Sequence, residues 1–198
     1  MPGDGAGRLR VEGQAEVREG SGVIVRRRGI HRPAAGVRGA GRSVWEGDTE
    51  GRESAVEFLS VGDEPAPAAV SAVLGLAEGA PACVRRRRFL LDGKPVMLAT
   101  SYLDAALVAG TPVTEPDSGP GGIYARLAEL GHGPARFREE VRSRMPSPEE
   151  TERLGLAAGT PVVLVCRTAF ASDGRAVEVN EMVLDASAYV LEYEFDAP

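Results

Sequence analysis

Apolar positions recur along the chain with two different periods, and one compound pattern occurs twice. The stretch LGLAEGAPACVRRRRFLLDGKPV, from Leu74 to Val96, is repeated in outline by LGLAAGTPVVLVCRTAFASDGRAV, from Leu154 to Val177. In each copy a helix-like segment ends at Leu-Gly-Leu, a Gly-x-Pro turn follows, and two strand-like runs flank Asp-Gly. Asp-Gly between such runs predicts a hairpin, because both residues tolerate the positive φ angles of a tight turn. Around the copies, Val56, Phe58 and Ser60 alternate as a strand, and Val70, Val73 and Leu74 fall at helical spacing after a proline-rich start. Ile123, Leu127 and Leu130 line one face of a helix that Gly131 ends. Phe137, Val141 and Met145 mark a half-exposed strand, and Tyr189, Leu191, Tyr193 and Phe195 a closing one. The fold class is α+β: an antiparallel sheet with helices packed on it, built from two similar helix-turn-hairpin halves. The cleft between the halves is the natural place for a ligand.

The first fifty residues read differently. Residues 8–28 give a helix end, a short strand, a Gly-Ser-Gly turn at residues 20–22 and a second strand. Residues 29–53 are rich in Gly, Arg and Ala without periodicity, which predicts a linker with Trp45 as its anchor. The expected organisation is therefore residues 1–28, a linker over 29–53 and an independently folding body over 54–198. Charge follows the same division: residues 1–52 carry ten Arg against seven acids, while the rest carries thirteen basic residues against twenty-two acids. A basic front can touch nucleic acid, whereas an acidic body argues against gripping it. Lys94 is the only lysine, so much of the Arg content reflects composition rather than a requirement for guanidinium groups.

At 198 residues the chain is long enough to bury a real core. It has neither a membrane-length apolar run nor a signal-peptide centre, so a cytoplasmic protein is expected. Cys83 and Cys166 occupy matching strand positions and read as small buried hydrophobes. His31 and His132 are the only histidines, which argues against a catalytic triad or a multi-His metal site, and no cofactor is implied. Arg85 to Arg88 are the main candidates for binding chemistry. Alternation on a strand lets only one pair face a shared cleft. Counting back from the two Asp-Gly turns aligns Phe89 with Phe170 and assigns Arg86 and Arg88 to the face carrying Arg167, Glu178 and Asn180. Two guanidinium groups one strand repeat apart form a fork for phosphate or carboxylate, a solvated strand face being the plainer reading. Gly121 and Gly122 open a helix whose N–H groups suit an anion, and Tyr124 either packs on the core or donates to the same ligand. Glu178 either accepts from ligand hydroxyl or amine groups or pairs with Arg167.

These motifs occur in a specific order: an RxR strand before DGKPVMLATSYL, then GGIYARLAELG, RMPSPEETERLGLAAGTPV and RTAFASDGRAVEVNEMVL. Over residues 54–195 they resemble the UTRA effector-binding domain of GntR-type bacterial transcription regulators, the HutC subfamily. The resemblance implies a chorismate lyase-like fold, a homodimer, and a buried site for a small anionic metabolite. It implies Arg86 and Arg88 as the anion clamp, Gly122 and Tyr124 at the ligand-binding helix start, and Glu178 as the ligand-contacting acid. Gly122 stands where the family has Ser, which leaves only a backbone donor. Leu184 and Asp104 also depart from members that sense phosphosugars. RLRVEG is similar to the close of a recognition helix, and EVREGSGVIVRRR to the wing of a winged helix. That likeness implies DNA contacts at Arg18, Ser21, Gly22 and Arg26, but no sequence-specific operator binding by this chain alone. A chorismate lyase-like enzyme and a DNA-free sensor or dimerisation module are the alternatives.

Overall fold

A computed structural model describes residues 15–18, 22–25, 30–33 and 52–192. Six strands form one sheet in the order β4, β5, β6, β9, β8, β7, and every neighbouring pair is antiparallel. They are β4 (Ser54–Glu64), β5 (Ala82–Leu91), β6 (Lys94–Asp104), β7 (Arg136–Arg144), β8 (Val162–Phe170) and β9 (Ala176–Asp185). The order runs edge, hairpin, hairpin, edge, so the sequence repeat becomes two like halves joined where β6 pairs with β9. Each half carries one helix before its hairpin, α1 (Ala68–Leu74) and α4 (Pro148–Leu154). Between the halves lie α2 (Ala105–Val108), a 3-10 turn over Pro112–Thr114, and α3 (Gly122–Glu129).

The Leu-Gly-Leu motif explains why α1 and α4 stop alike. Gly75 and Gly155 end them in the left-handed region. The leucine that follows then donates back into the helix, Leu76 to the Ser71 carbonyl and Leu156 to the Thr151 carbonyl, both at 3.0 Å. Their starts differ. Pro67 gives α1 no side-chain cap, whereas Ser147 caps α4 by accepting from the Glu150 N–H while Glu150 accepts from the Ser147 N–H. Arg144 also grips the Glu150 carboxylate at 2.6 and 2.7 Å. That bond, followed by those from Ser147, holds the Glu150 carboxyl below its usual range. A depressed folded-state pKa stabilises above the unfolded value and ceases to do so as pH falls through the folded one. Ser147→Ala should therefore cost about 1 kcal/mol in urea unfolding at neutral pH, and wild type should lose the Arg144–Glu150 contribution on acidification below the normal carboxylate range.

The sheet buries both faces. On one, Cys83, Leu103, Ala169 and Val177 pack beneath Val108, Val113, Ile123 and Leu127 of the α2–α3 segment. On the other, Val70 and Leu74 of α1 cover Ala82, Val84, Tyr102 and Val179, while Leu154 and Leu156 cover Val162. Cys83 and Cys166 are free thiols in clusters on opposite faces, Cys83 fully buried and Cys166 half-buried.

Two expectations change outside the six strands. The closing strand does not join the sheet: β10 (Tyr189–Glu192) pairs in parallel with β3 (Ile30–Pro33), Tyr189 opposite Ile30. A strand therefore lies inside the stretch expected to be a linker. Its composition hid it, since four residues flanked by Gly and Arg give no readable period. The expected hairpin is present as β1 (Ala15–Arg18) against β2 (Gly22–Val25), with Arg18 opposite Gly22. The helix end before it, Trp45, Tyr193 and Phe195 lie outside the described residues.

Candidate ligand-binding site

Strand alternation and register together build a polar row across the face under α2 and α3. Arg85 on β5 stands opposite Ser101 on β6, Ser101 opposite Asn180 on β9, Asn180 opposite Arg167 on β8, and Arg167 opposite Glu139 on β7. Arg87 lies one repeat along β5 and Glu178 one repeat along β9, where it faces Ala169. Directly opposed side chains on antiparallel strands start about 5 Å apart, so the row is one continuous surface.

Arg86 and Arg88 are not part of it. They point to the other face, where Arg86 makes two bonds to Glu64 at 2.7 and 2.8 Å and the Arg88 Nε reaches Glu57 at 2.6 Å. The expectation that they share a face with Arg167, Glu178 and Asn180 is therefore corrected. Its error was to treat the two Asp-Gly turns as equal. Leu91 pairs with Lys94 across two residues and Phe170 with Ala176 across five; each hairpin has a bulge, at Phe89/Leu90 and at Ala169/Phe170, and seven residues separate Phe89 from its partner Met97 where eight separate Ala169 from Glu178. An odd difference in loop length reverses the faces. Phe89 consequently packs with Met97 and Met182, and Phe170 packs on the opposite side of the sheet with Val84 and Tyr102.

The inner arginines differ in what they hold. Arg85 is 2% exposed. Its Nη1 donates to the carbonyls of Val113 and Glu115, and its Nη2 to that of Pro116 at 3.1 Å, so it staples the 3-10 turn to the sheet. Arg167 bonds Glu139 through Nε at 2.8 Å and through Nη2, and lies over the Phe137 ring at 5.3 Å. Arg87 donates through Nη2 to the Ser101 hydroxyl at 2.6 Å and sits 5.6 Å from the Phe89 centroid. Burial lowers the pKa of Arg85 and Arg87, with Glu178 opposing that shift in both. Guanidinium groups nevertheless stay charged.

Glu178 is 0% exposed, and neither of its oxygens has a hydrogen-bond partner. The Oδ1 of Asn180 and the Nε atoms of Arg85 and Arg87 are also buried without one. Among the described residues only the Arg126 Nε adds to this set, so five of six such atoms converge on one face. Tyr124, in the first turn of α3, packs against Phe137 with ring centroids 5.5 Å apart. Its hydroxyl faces the Glu178 carboxylate and Arg167: burial and then Glu178 push its pKa well up, against Arg167, so the phenol keeps its proton and can offer Glu178 one hydrogen. The Gly122 N–H, expected as a ligand donor, already donates to the Gly119 carbonyl at 3.0 Å in the turn that opens α3. The row thus adds Ser101 and Glu139 to the residues singled out from sequence, and takes Arg85 with Arg87 from the four arginines instead of Arg86 with Arg88. The two-residue turn at Asp92 and Gly93, against the longer one in the second hairpin, was the signal for which arginine pair shares a face with Arg167.

Of the proposed DNA contacts, Arg18 and Gly22 face each other across β1 and β2, while Ser21 and Arg26 lie outside the described residues. Among the described residues no three His, Cys, Asp or Glu side chains gather as a metal site, and no helix is long and apolar enough to cross a membrane.

Comparison with known proteins agrees with this architecture. An uncharacterised HTH-type transcriptional regulator of Streptomyces coelicolor is 36% identical over 136 residues, 67% of this chain and 51% of that one. An HTH-type transcriptional regulator of Mycobacterium tuberculosis is 36% identical over 126 residues, 63% of this chain and 46% of that one. The chain thus spans about half the length of these curated relatives. The crystal structure of PhnF from Mycobacterium smegmatis matches with a TM-score of 0.76 at 24% identity, over 98% of this chain and 83% of that one. The PhnF effector domain alone matches with a TM-score of 0.72 at 24% identity, over 85% of this chain and 100% of that one. At such identity these structures establish the fold alone. Residues 49–190 match the sequence profile of the UTRA domain, most of the chain, and the chain therefore belongs to the UTRA domain family.

Proposed function

We propose that this chain is the effector-binding part of a GntR-type, HutC-subfamily transcription regulator, in which a small anionic metabolite binds the polar row and alters DNA binding. One observation carries the reading: five buried hydrogen-bonding atoms on a single face lack partners. Each such atom costs free energy unless something satisfies it, and a bound ligand is the economical answer. Arg87, Glu178, Asn180 and Tyr124 are the contacts we assign to it, in place of Arg86, Arg88 and the Gly122 N–H. Residues 1–28 act in this reading as the end of a winged-helix DNA-binding domain, with Arg18, Ser21, Gly22 and Arg26 at the DNA, residues 29–53 as the linker, and a homodimer as the working unit. Naming of the relatives as transcriptional regulators favours a cytoplasmic sensor over an enzyme.

A route from ligand to linker supports this reading. Arg87 stacks on Phe89, and Phe89 belongs to the buried cluster of Met97, Met182 and Tyr189. Tyr189 opens β10, which is hydrogen-bonded to β3 on the linker side of the hairpin. A ligand that orders Arg87 thereby biases how the front of the chain is held, which is coupling through a shared two-state element.

The test is a thermal-shift screen of the purified chain against phosphates, carboxylates, amino acids and sugar acids. A true effector at a hundred times its Kd stabilises by about 2.7 kcal/mol, a rise of roughly 5–10 °C for a body of this size. Saturable stabilisation by a restricted subset is expected, and a flat response across the panel would contradict the proposal.

A further inference from the structure

We infer that the ligand of the polar row is a polyhydroxylated monocarboxylate, its carboxylate on Arg87 and its hydroxyls donating to Glu178 and Asn180. The inference rests on the effector-site reading above and narrows it to a chemical class.

Three unpartnered atoms are acceptors, Glu178 Oε1 and Oε2 and Asn180 Oδ1, and two are donors, the Nε atoms of Arg85 and Arg87. A simple anion has only acceptors. It would satisfy the guanidinium groups while meeting Glu178, a fully buried carboxylate, with like charge. The ligand must therefore bring hydrogen donors as well as an anionic group, since the Tyr124 hydroxyl, which faces Glu178, can supply only one of the three hydrogens that these acceptors ask for.

Charge decides which anion. Leaving aside Asp63, which faces Cys83 from the edge strand but is exposed, three guanidinium groups, Arg85, Arg87 and Arg167, share this face with two carboxylates, Glu139 and Glu178, which leaves one positive charge. Asp117 also acts on Arg85, but it is exposed, so water and salt screen it. A monocarboxylate restores neutrality. A phosphate monoester brings roughly −1.5 to −2 at neutral pH and overshoots, and a zwitterion brings no net charge at all.

Charge also decides which donors. The Glu178 carboxylate already acts on Arg85, Arg87 and Arg167. A ligand ammonium beside it would be a fourth cation in a site of low dielectric, whereas hydroxyls supply the hydrogens without charge. Adjacent hydroxyls on a sugar-acid chain deliver several donors in one small volume.

Titration calorimetry on the full chain tests this with D-gluconate and D-glucuronate, against sorbitol (hydroxyls only), hexanoate (carboxylate only), L-glutamate (ammonium donor) and glucose 6-phosphate (phosphate anion). At least one sugar acid should bind about tenfold or more tightly than all four controls. Glu178→Gln should weaken it by about tenfold or more, since a hydrogen bond to a charged acceptor is lost. The same variant should keep the wild-type far-UV circular dichroism spectrum, so that the lost affinity reads the site rather than the fold. Asn180→Ala, which alters a neutral group, should weaken the sugar acid in the same direction. Tighter binding of hexanoate, glutamate or glucose 6-phosphate, or full sugar-acid affinity in both variants, would overturn the ligand class and leave the effector reading standing. Silence from every probe would overturn the ligand class, while the wider thermal-shift screen decides the effector reading.

Discussion

Arg85→Met should be the most destabilising single substitution in the described body, lowering the free energy of unfolding by about 4 kcal/mol. The methionine keeps an apolar stem within the 2%-exposed site but offers no donor. The carbonyls of Val113, Glu115 and Pro116 then lose the bonds that hold them to the sheet. A hydrogen bond from a charged group is worth about 1.5–3 kcal/mol, and removing the buried charge itself returns part of that sum. The segment over Pro112–Thr114 anchors Val113 in the core that also seats α3, so loosening it moves Tyr124 as well. Urea unfolding followed by far-UV circular dichroism measures the loss. A change below about 1 kcal/mol would show that the carbonyls find water or other donors, and Arg85 would then be no staple.

The second large effect is expected at the Arg167–Glu139 pair. Arg167→Leu takes the guanidinium from the Glu139 carboxylate, whose side chain is 13% exposed, and removes the cation over Phe137. Breaking a buried pair from one side costs about 3–5 kcal/mol; the remaining exposure of Glu139 places this one near 3. The double variant Arg167→Leu, Glu139→Leu should recover most of that loss, because an ion pair replaced on both sides by apolar groups is close to neutral. Additive losses in the double variant would mean that the two side chains act separately, and that the polar row is not one network.

Sequence made the architecture legible because its signals were local and repeated. Leu-Gly-Leu encodes a left-handed cap at Gly75 and again at Gly155, Asp-Gly encodes a hairpin, and duplication makes each reading test the other. The site was legible only by composition. Four consecutive arginines announce a charged strand, but face assignment depends on the parity of the loop beyond it, and the five residues between Phe170 and Ala176 break the likeness of the two hairpins. The placing of Glu178 and Tyr124 did not depend on the register of β5, because one lies on β9 and the other on α3. The pairing of β3 with β10 had no signal at all: a parallel pair distant in sequence leaves no turn between its strands.

The face assigned to the ligand can be tested by its two neighbouring arginines. Taking the anion that stabilises wild type most, thermal shifts are measured for Arg87→Ala, on the polar row, and for Arg88→Ala, which on the opposite face bonds Glu57. The structure predicts that Arg87→Ala loses the ligand-induced shift while Arg88→Ala keeps it in full. A shift lost in Arg88→Ala and kept in Arg87→Ala would contradict the site described above and return the clamp to the outer face.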